Sequence, residues 1–180
     1  CNDPMRMLIA ALLVACMTPL GSAQAQSSSR IQCAATENGQ DATASLTIRD
    51  GGREVANGSC RAPISVPAGT YEAVIQLDGT LDRPTKTLAV TTVAGQISRV
   101  SAAFTTGLVE IVVRSGGNRA AGMATIFTAN GARVGTVGCG VPTHLSTGSY
   151  TVVVRHRTTE QRLTNISVEA GKTTVVQADF

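Results

Sequence analysis

The chain has 180 residues, with 15 Lys and Arg against 12 Asp and Glu, two His, three Phe, two Tyr and no Trp. So small a positive charge, with no aromatic side chains to spare for base stacking, argues against nucleic-acid binding. It argues equally against sugar recognition on aromatic platforms, since both tyrosines belong to a repeated structural motif.

From the N-terminus, Arg6 precedes the apolar run 7–20 and then Gly21-Ser22-Ala23-Gln24-Ala25. A positive start, an apolar centre and a small-x-small ending are the pattern of a secretory signal peptide, which predicts a leader over 1–25 cut after Ala25. The apolar run is shorter than the roughly twenty residues that a membrane span needs. Leu13-Val14-Ala15-Cys16 supplies an alternative, because it has the form of a lipoprotein lipobox that would lipidate Cys16. Both readings export the chain, as a periplasmic or secreted protein in the first case and an outer-membrane lipoprotein in the second. Membrane contact would come only through that lipid anchor.

Further along, Cys60, Pro63, Gly69 and Tyr71 recur at unchanged spacing as Cys139, Pro142, Gly148 and Tyr150, 79 residues on. The closing Val100, Ala102 and Phe104 return as Val176, Ala178 and Phe180 after only 76 residues. Three residues are therefore missing from the second copy, and they fall where the first carries the polar, Pro-containing stretch 78–84. Loops tolerate such changes of length. Duplication at this period predicts two like domains, 26–105 and 106–180, each close to the lower size limit for an adequate core.

Alternation sets their class. Tyr71, Ala73, Ile75 and Leu77 interleave with Glu72, Val74 and Gln76, and Tyr150, Val152 and Val154 interleave with Thr151, Val153 and Arg155. A period of two means strand. Leu88 and Val90 match Thr164 and Ile166 in the following run, and Asp50-Gly51 and Asn130-Gly131 are hairpin signals. Seven strands are predicted in the first copy, over 30–35, 43–49, 53–60, 62–66, 70–78, 85–93 and 96–104, with the same order in the second. The predicted fold is all-β: two tandem Ig-like, seven-stranded antiparallel β-sandwiches. Only Thr105-Thr106-Gly107 separates Phe104 from Leu108, so the pair should be stiff.

Removal of the leader leaves Cys33, Cys60 and Cys139 in an oxidising compartment. Cys33 has no counterpart in the second copy, where Ile111 takes its place, so the expected disulfide joins Cys33 and Cys60. Cys139 is then a buried free thiol; the alternative pairing of Cys60 with Cys139 would require the same spot on two domains to meet. Neither Cys-x-x-Cys nor Gly-x-Ser-x-Gly occurs, which removes the signatures of thioredoxin-like, zinc-ribbon and serine-hydrolase chemistry. His144 and His156 occur in the second copy alone, and Asp78 and Asp82 read as turn residues rather than calcium ligands. The expectation is a protein without cofactor, metal or catalysis. An enzyme would need His144, His156 and an acid gathered around a metal.

Charge supplies the asymmetry between the copies. Residues 31–105 carry six basic and seven acidic side chains, whereas 106–180 carry seven and four. Arg155, His156, Arg157 and Arg162 cluster around one predicted hairpin and form a candidate patch for an anionic partner, since summed charge steers association.

The stretches Pro67-Ala68-Gly69-Thr70-Tyr71-Glu72-Ala73-Val74 and Ser146-Thr147-Gly148-Ser149-Tyr150-Thr151-Val152-Val153 resemble the P-x-G-x-Y-x-V-x-V segment of prealbumin-like (transthyretin-like) β-sandwich modules. These include carboxypeptidase regulatory-like domains and the B-type repeats of collagen adhesins. The resemblance covers nearly all of both copies and implies roles for Pro63, Gly69, Tyr71, Pro142, Gly148 and Tyr150 in the fold, the glycines turning the chain with positive φ and the tyrosines burying a ring with its hydroxyl bonded. Adhesin repeats of this kind often carry a lysine in the first strand and an asparagine in the last, joined by an isopeptide bond. Neither first strand here contains lysine, so that cross-link is not expected. The function expected is a non-enzymatic module of the bacterial cell envelope that engages a protein or envelope component through loops or edge strands. The alternative is a stalk or scaffold, lipid-anchored at Cys16.

Overall fold

The computed structural model describes residues 28–180, and every regular element in them is a strand. The leader, its cleavage point and the lipidation candidate Cys16 lie outside the described residues. Eight strands come from the first copy: β1 (Ser28–Glu37), β2 (Gln40–Asp41), β3 (Ala44–Asp50), β4 (Arg53–Ser59), β5 (Ile64–Pro67), β6 (Gly69–Leu77), β7 (Thr85–Thr92) and β8 (Ile97–Phe104). Eight more follow in the same order: β9 (Thr106–Ser115), β10 (Asn118–Ala120), β11 (Met123–Thr128), β12 (Arg133–Gly138), β13 (Thr143–Ser146), β14 (Gly148–His156), β15 (Thr159–Val168) and β16 (Thr173–Asp179). The additions to the seven expected in each copy are the short strands β2 and β10, which fold back on the ends of β1 and β9.

The strands form four sheets of four. In the first half β4-β3-β6-β7 is one antiparallel sheet, and β1 is the centre of the other, with β2 and β5 along one side and β8 along the other. The second half repeats this as β12-β11-β14-β15 and as β9 flanked by β10, β13 and β16. One departure from antiparallel order appears in each half: β8 runs parallel to β1, and β16 to β9. Hairpins force neighbours antiparallel, but these partners are the first and last strands of a half with six strands between them, so no turn dictates their direction.

Alternation places the predicted rows inward. Ala73, Ile75 and Leu77 are fully buried against Ile31, Leu46, Ile48 and Phe104, and Val152 and Val154 against Val109, Ile111, Ile126 and Leu145. Each such side chain contributes about 1.5–3 kcal/mol by leaving water. The β3–β4 connection is a two-residue turn of Gly51 and Gly52, since Asp50 pairs with Arg53 and both glycines have positive φ. That is the geometry a type I′ hairpin demands.

Two sequence matches shift. Gly69 has no positive φ, and a Cβ there would make ordinary van der Waals contact with the Tyr71 ring at 3.4 Å, so the ring lies over the backbone without requiring glycine. Gly148 does hold the expected positive φ, 157°, which a residue with a Cβ rarely adopts, and the Tyr150 ring lies 3.7 Å from where that Cβ would be. The tyrosines donate to the carbonyl four residues back, Tyr71 to Pro67 at 2.9 Å and Tyr150 to Ser146 at 2.8 Å. In β15 the register slips between Tyr150 and Val152, with Asn165 at φ 58°. The extra residue brings Leu163, rather than Thr164, to the place of Leu88 against its core.

Cys33 and Cys60 are joined by a disulfide, Cα–Cα 4.7 Å, which ties β1 in one sheet to the end of β4 in the other. Cys139 is free but half-buried rather than buried, and it occupies the place of Cys60: its N–H donates to Gly122 O at 3.0 Å, as the Cys60 N–H does to Ala44 O. Burial pushes its thiol pKa up.

The halves meet through more than their one-residue link, Thr105. Thr106 is buried, and its N–H and C=O form a reciprocal pair with the Asn38 amide, both bonds 3.0 Å. Glu37 accepts from the Thr106 hydroxyl and lies 3.4 Å from His144 Nδ1. The stretch 78–84, read above as a tolerant loop, reaches across to β13. There the Leu81 N–H donates to His144 O at 3.0 Å, and Asp82 Oδ2 accepts from the Ser146 N–H at 3.2 Å. Leu81 packs onto the second core over Gly135, where a Cβ would come within 2.8 Å of its methyl.

Candidate functional site

The outer face of the second half's β12-β11-β14-β15 sheet is built from cross-strand rows. Because side chains alternate along a strand, residues two apart on one strand and their partners on the next share a face. Met123 pairs with Arg155, and Arg155 with Glu160; in the adjacent row Thr136 pairs with Thr125, Thr125 with Val153, and Val153 with Arg162. The β14–β15 turn adds Arg157. Between these rows lies a groove of about 720 Å³, lined by Met123, Thr125, Thr136, Val153, Arg155, Arg157 and Glu160, with Ala121 and Gly122 at its lip.

The floor is apolar: Met123 is 51% exposed there, beside half-buried Val153. The Thr125 and Thr136 hydroxyls bond one another at 3.1 Å. Among the described residues none of Arg155, Arg157 and Arg162 takes part in a salt bridge, so their guanidinium donors face solvent. Arg157 holds φ at 54°, a left-handed conformation that costs a side-chain-bearing residue about 1 kcal/mol.

Duplication supplies an internal control. By strand register the first half's positions for Met123, Arg155 and Glu160 are Ser45, Gln76 and Thr85, and those for Thr136, Thr125, Val153 and Arg162 are Asn57, Thr47, Val74 and Thr87. The first copy's counterparts of the groove residues thus include no cation, with Asp78 in the place of Arg157. Its own charges on this face, Arg49, Glu54 and Glu72, are cross-strand partners further along the strands, and the exposed methionine belongs to the second copy alone.

Of the four residues in the sequence-derived patch, Arg155 and Arg157 converge on this groove. Arg162 shares their face but lines a neighbouring groove of about 680 Å³ between β15 and β16, with Ile166, Val175 and Gln177. His156 turns the other way: its Nδ1 is 2.7 Å from Ala121 O and its ring sits 5.6 Å from that of Phe180. With Nδ1 as the donor to that carbonyl, Nε2 is the acceptor nitrogen, and it is buried without a partner. His144 lies instead at the junction with Glu37. The two histidines thus have separate surroundings, and among the described residues no three His, Cys, Asp or Glu side chains are placed to hold a metal ion. Sequence reasoning missed Met123 and Glu160, whose signal was the joint replacement of Ser45 and Thr85 across the repeat.

No protein-family model matches the chain, and no curated protein matches it. Among solved structures, the Bacillus anthracis TIE protein is similar at 18% identity and a TM-score of 0.39, over 84% of this chain. The chain spans only 34% of that protein's length. The minor pilin GBS52 of Streptococcus agalactiae is similar at 11% identity and a TM-score of 0.43, over 83% of this chain and 93% of that one. The shaft pilin SpaA of Lactobacillus rhamnosus gives 8% identity and a TM-score of 0.37, over 84% and 97%. Similarity at this level carries no information about what the chain binds.

Proposed function

We propose that this chain is an exported, non-catalytic binding module of the bacterial cell envelope, made of two prealbumin-like β-sandwich domains, 26–105 and 106–180, behind a leader cut after Ala25. It engages an anionic partner through the basic face of the second domain, with Arg155 and Arg157 as the principal contacts and Arg162 at the flank. The observation that carries this reading is the contrast between the copies: one fold and one register, but Ser45, Gln76 and Asp78 in the first where Met123, Arg155 and Arg157 line a groove in the second. A duplicated surface that serves only solvation has no reason to exchange Gln76 for Arg155 and Ser45 for Met123 in the same cross-strand row.

The test is a pull-down from envelope extract with the mature chain and with an Arg155→Gln, Arg157→Gln, Arg162→Gln variant. Loss of a captured component from the variant supports the reading, and an unchanged set of partners rejects it. Mass spectrometry of the mature N-terminus separates Gln26 from acylated Cys16, and with it a periplasmic or secreted protein from an outer-membrane lipoprotein. A second reading, a stalk or scaffold that spaces its partners, is favoured by the junction. There Asn38, Glu37, Leu81 and Asp82 of the first half all grip the second.

A further inference from the structure

Resting on that reading of the basic face, we infer that the groove over β11 and β14 takes an extended acidic segment of another protein, one that presents an apolar and two acidic side chains at alternate positions. Along β14 and its turn the groove offers Val153, Arg155 and Arg157 in steps of two residues, with Met123 beside them on β11. Steps of two in extended chain are about 6.6–6.8 Å. An extended peptide laid over the face repeats at that distance, so one apolar side chain meets the Val153–Met123 floor while the next two positions reach the two guanidinium forks. Planar guanidinium groups pair with carboxylates through two parallel hydrogen bonds, which suits Asp and Glu side chains.

Other occupants fit less well. β11 and β14 are internal strands, each paired on both sides, so the groove has no free backbone edge for strand addition and side chains must do the reading. A sulfated glycan or an anionic bilayer presents negative charge without a break, and Glu160, paired with Arg155 in the same row, would repel it. Such ligands also leave the Met123 and Val153 floor without an apolar counterpart. The volume, about 720 Å³, lies in the range of about 300–1,000 Å³ typical of ligand clefts.

Arg157 holds a left-handed φ of 54° and lines the groove; Arg83 holds φ 44° in the corresponding connection of the first copy, so the conformation belongs to the turn and the groove rests on the side chains.

The experiment selects a random dodecapeptide library, displayed on phage, against the mature chain. The counter-selection uses a variant bearing the first copy's residues, Met123→Ser, Arg155→Gln and Arg157→Asp. Arg155→Gln alone, at an exposed position, stands in should the triple variant misfold. Labelled heparin and vesicles of phosphatidylcholine with phosphatidylglycerol are assayed in parallel. Enriched peptides should carry Asp or Glu at alternate positions next to an apolar residue. A synthetic consensus peptide should bind the unaltered chain at least about tenfold more tightly than either variant, with affinity falling as salt rises. No enrichment, enrichment without acidic residues, or equal binding to the variants overturns the peptide assignment. If heparin or vesicles then bind and lose affinity in the variants, the basic-face reading survives without the peptide. If no probe distinguishes the variants, both readings fall.

Discussion

Removing the first half's disulfide should cost it most of its stability and reach the second half only through the junction. The perturbation is the double change Cys33→Ala, Cys60→Ala, conservative in shape because both side chains are buried and almost as small as alanine. The bond closes a loop of sequence separation 27, and the chain-entropy relation for that length gives about 12 cal/mol/K, or about 3.5 kcal/mol at 25 °C. Against a urea m-value of about 1–1.5 kcal/mol/M for a domain this small, the midpoint should fall by about 2.3–3.5 M. Each half contains one tyrosine, Tyr71 or Tyr150, so fluorescence in a Tyr150→Phe or Tyr71→Phe background follows one half at a time. The Tyr71 signal should move by that amount and the Tyr150 signal by much less, through the lost junction contacts alone. Equal shifts in both, or none in Tyr71, would refute the assignment of the bond as the staple of one half alone.

Leu81→Ala should cost about 1–2 kcal/mol from its half-buried contact, and combined with Asn38→Ala and Asp82→Ala it should free the halves from one another, so that residual dipolar couplings need two alignment tensors where the unaltered chain needs one. Gly107→Ala should destabilise the second half by about 3 kcal/mol in urea melts, because its Cβ would fall 2.3 Å from the Glu169 carbonyl oxygen and 3.0 Å from that of Lys172, both backbone atoms. Arg157→Gly should raise stability by about 1 kcal/mol, read by calorimetry, by relieving the left-handed φ. Burial, and then the Asp82 carboxylate, push the Tyr150 hydroxyl up to about 12 from its ordinary 10, and phenolate absorbance in Tyr71→Phe should show this. The fold favours the neutral form, so this contribution to stability is complete below pH 10 and is lost as pH rises through about 12; Asp82→Asn should lower the titration point.

Much of the architecture was legible because period-two patterning is a local signal that duplication repeats. The rows through Tyr71 and Tyr150 read correctly, and the tyrosine hydroxyls are bonded as the resemblance implies. What escaped was set by pairing between distant strands. The parallel alignment of β1 with β8 depends on the route of the chain through the opposite sheet, and the slip at Asn165 leaves Leu163 and Thr164 equally plausible by composition. The groove was half legible: Arg155 and Arg157 stand together in the chain, whereas Met123 and Glu160 join them only through register. His156 continues the inward row of Tyr150, Val152 and Val154, as alternation alone implies, and only its nearness along the chain put it in the patch.

The reach of Leu81 and Asp82 across to β13 gives the pair a direction. In the second half the same corner between β14 and β15 has shrunk to Arg157 and Thr158, too short to grasp a neighbour placed beyond it. A third copy fused after Phe180 would therefore swing on its tether, and exchanging the order of the two existing copies would unlock them. Growth by further duplication would extend this protein as a jointed string, with a single splinted pair at its head.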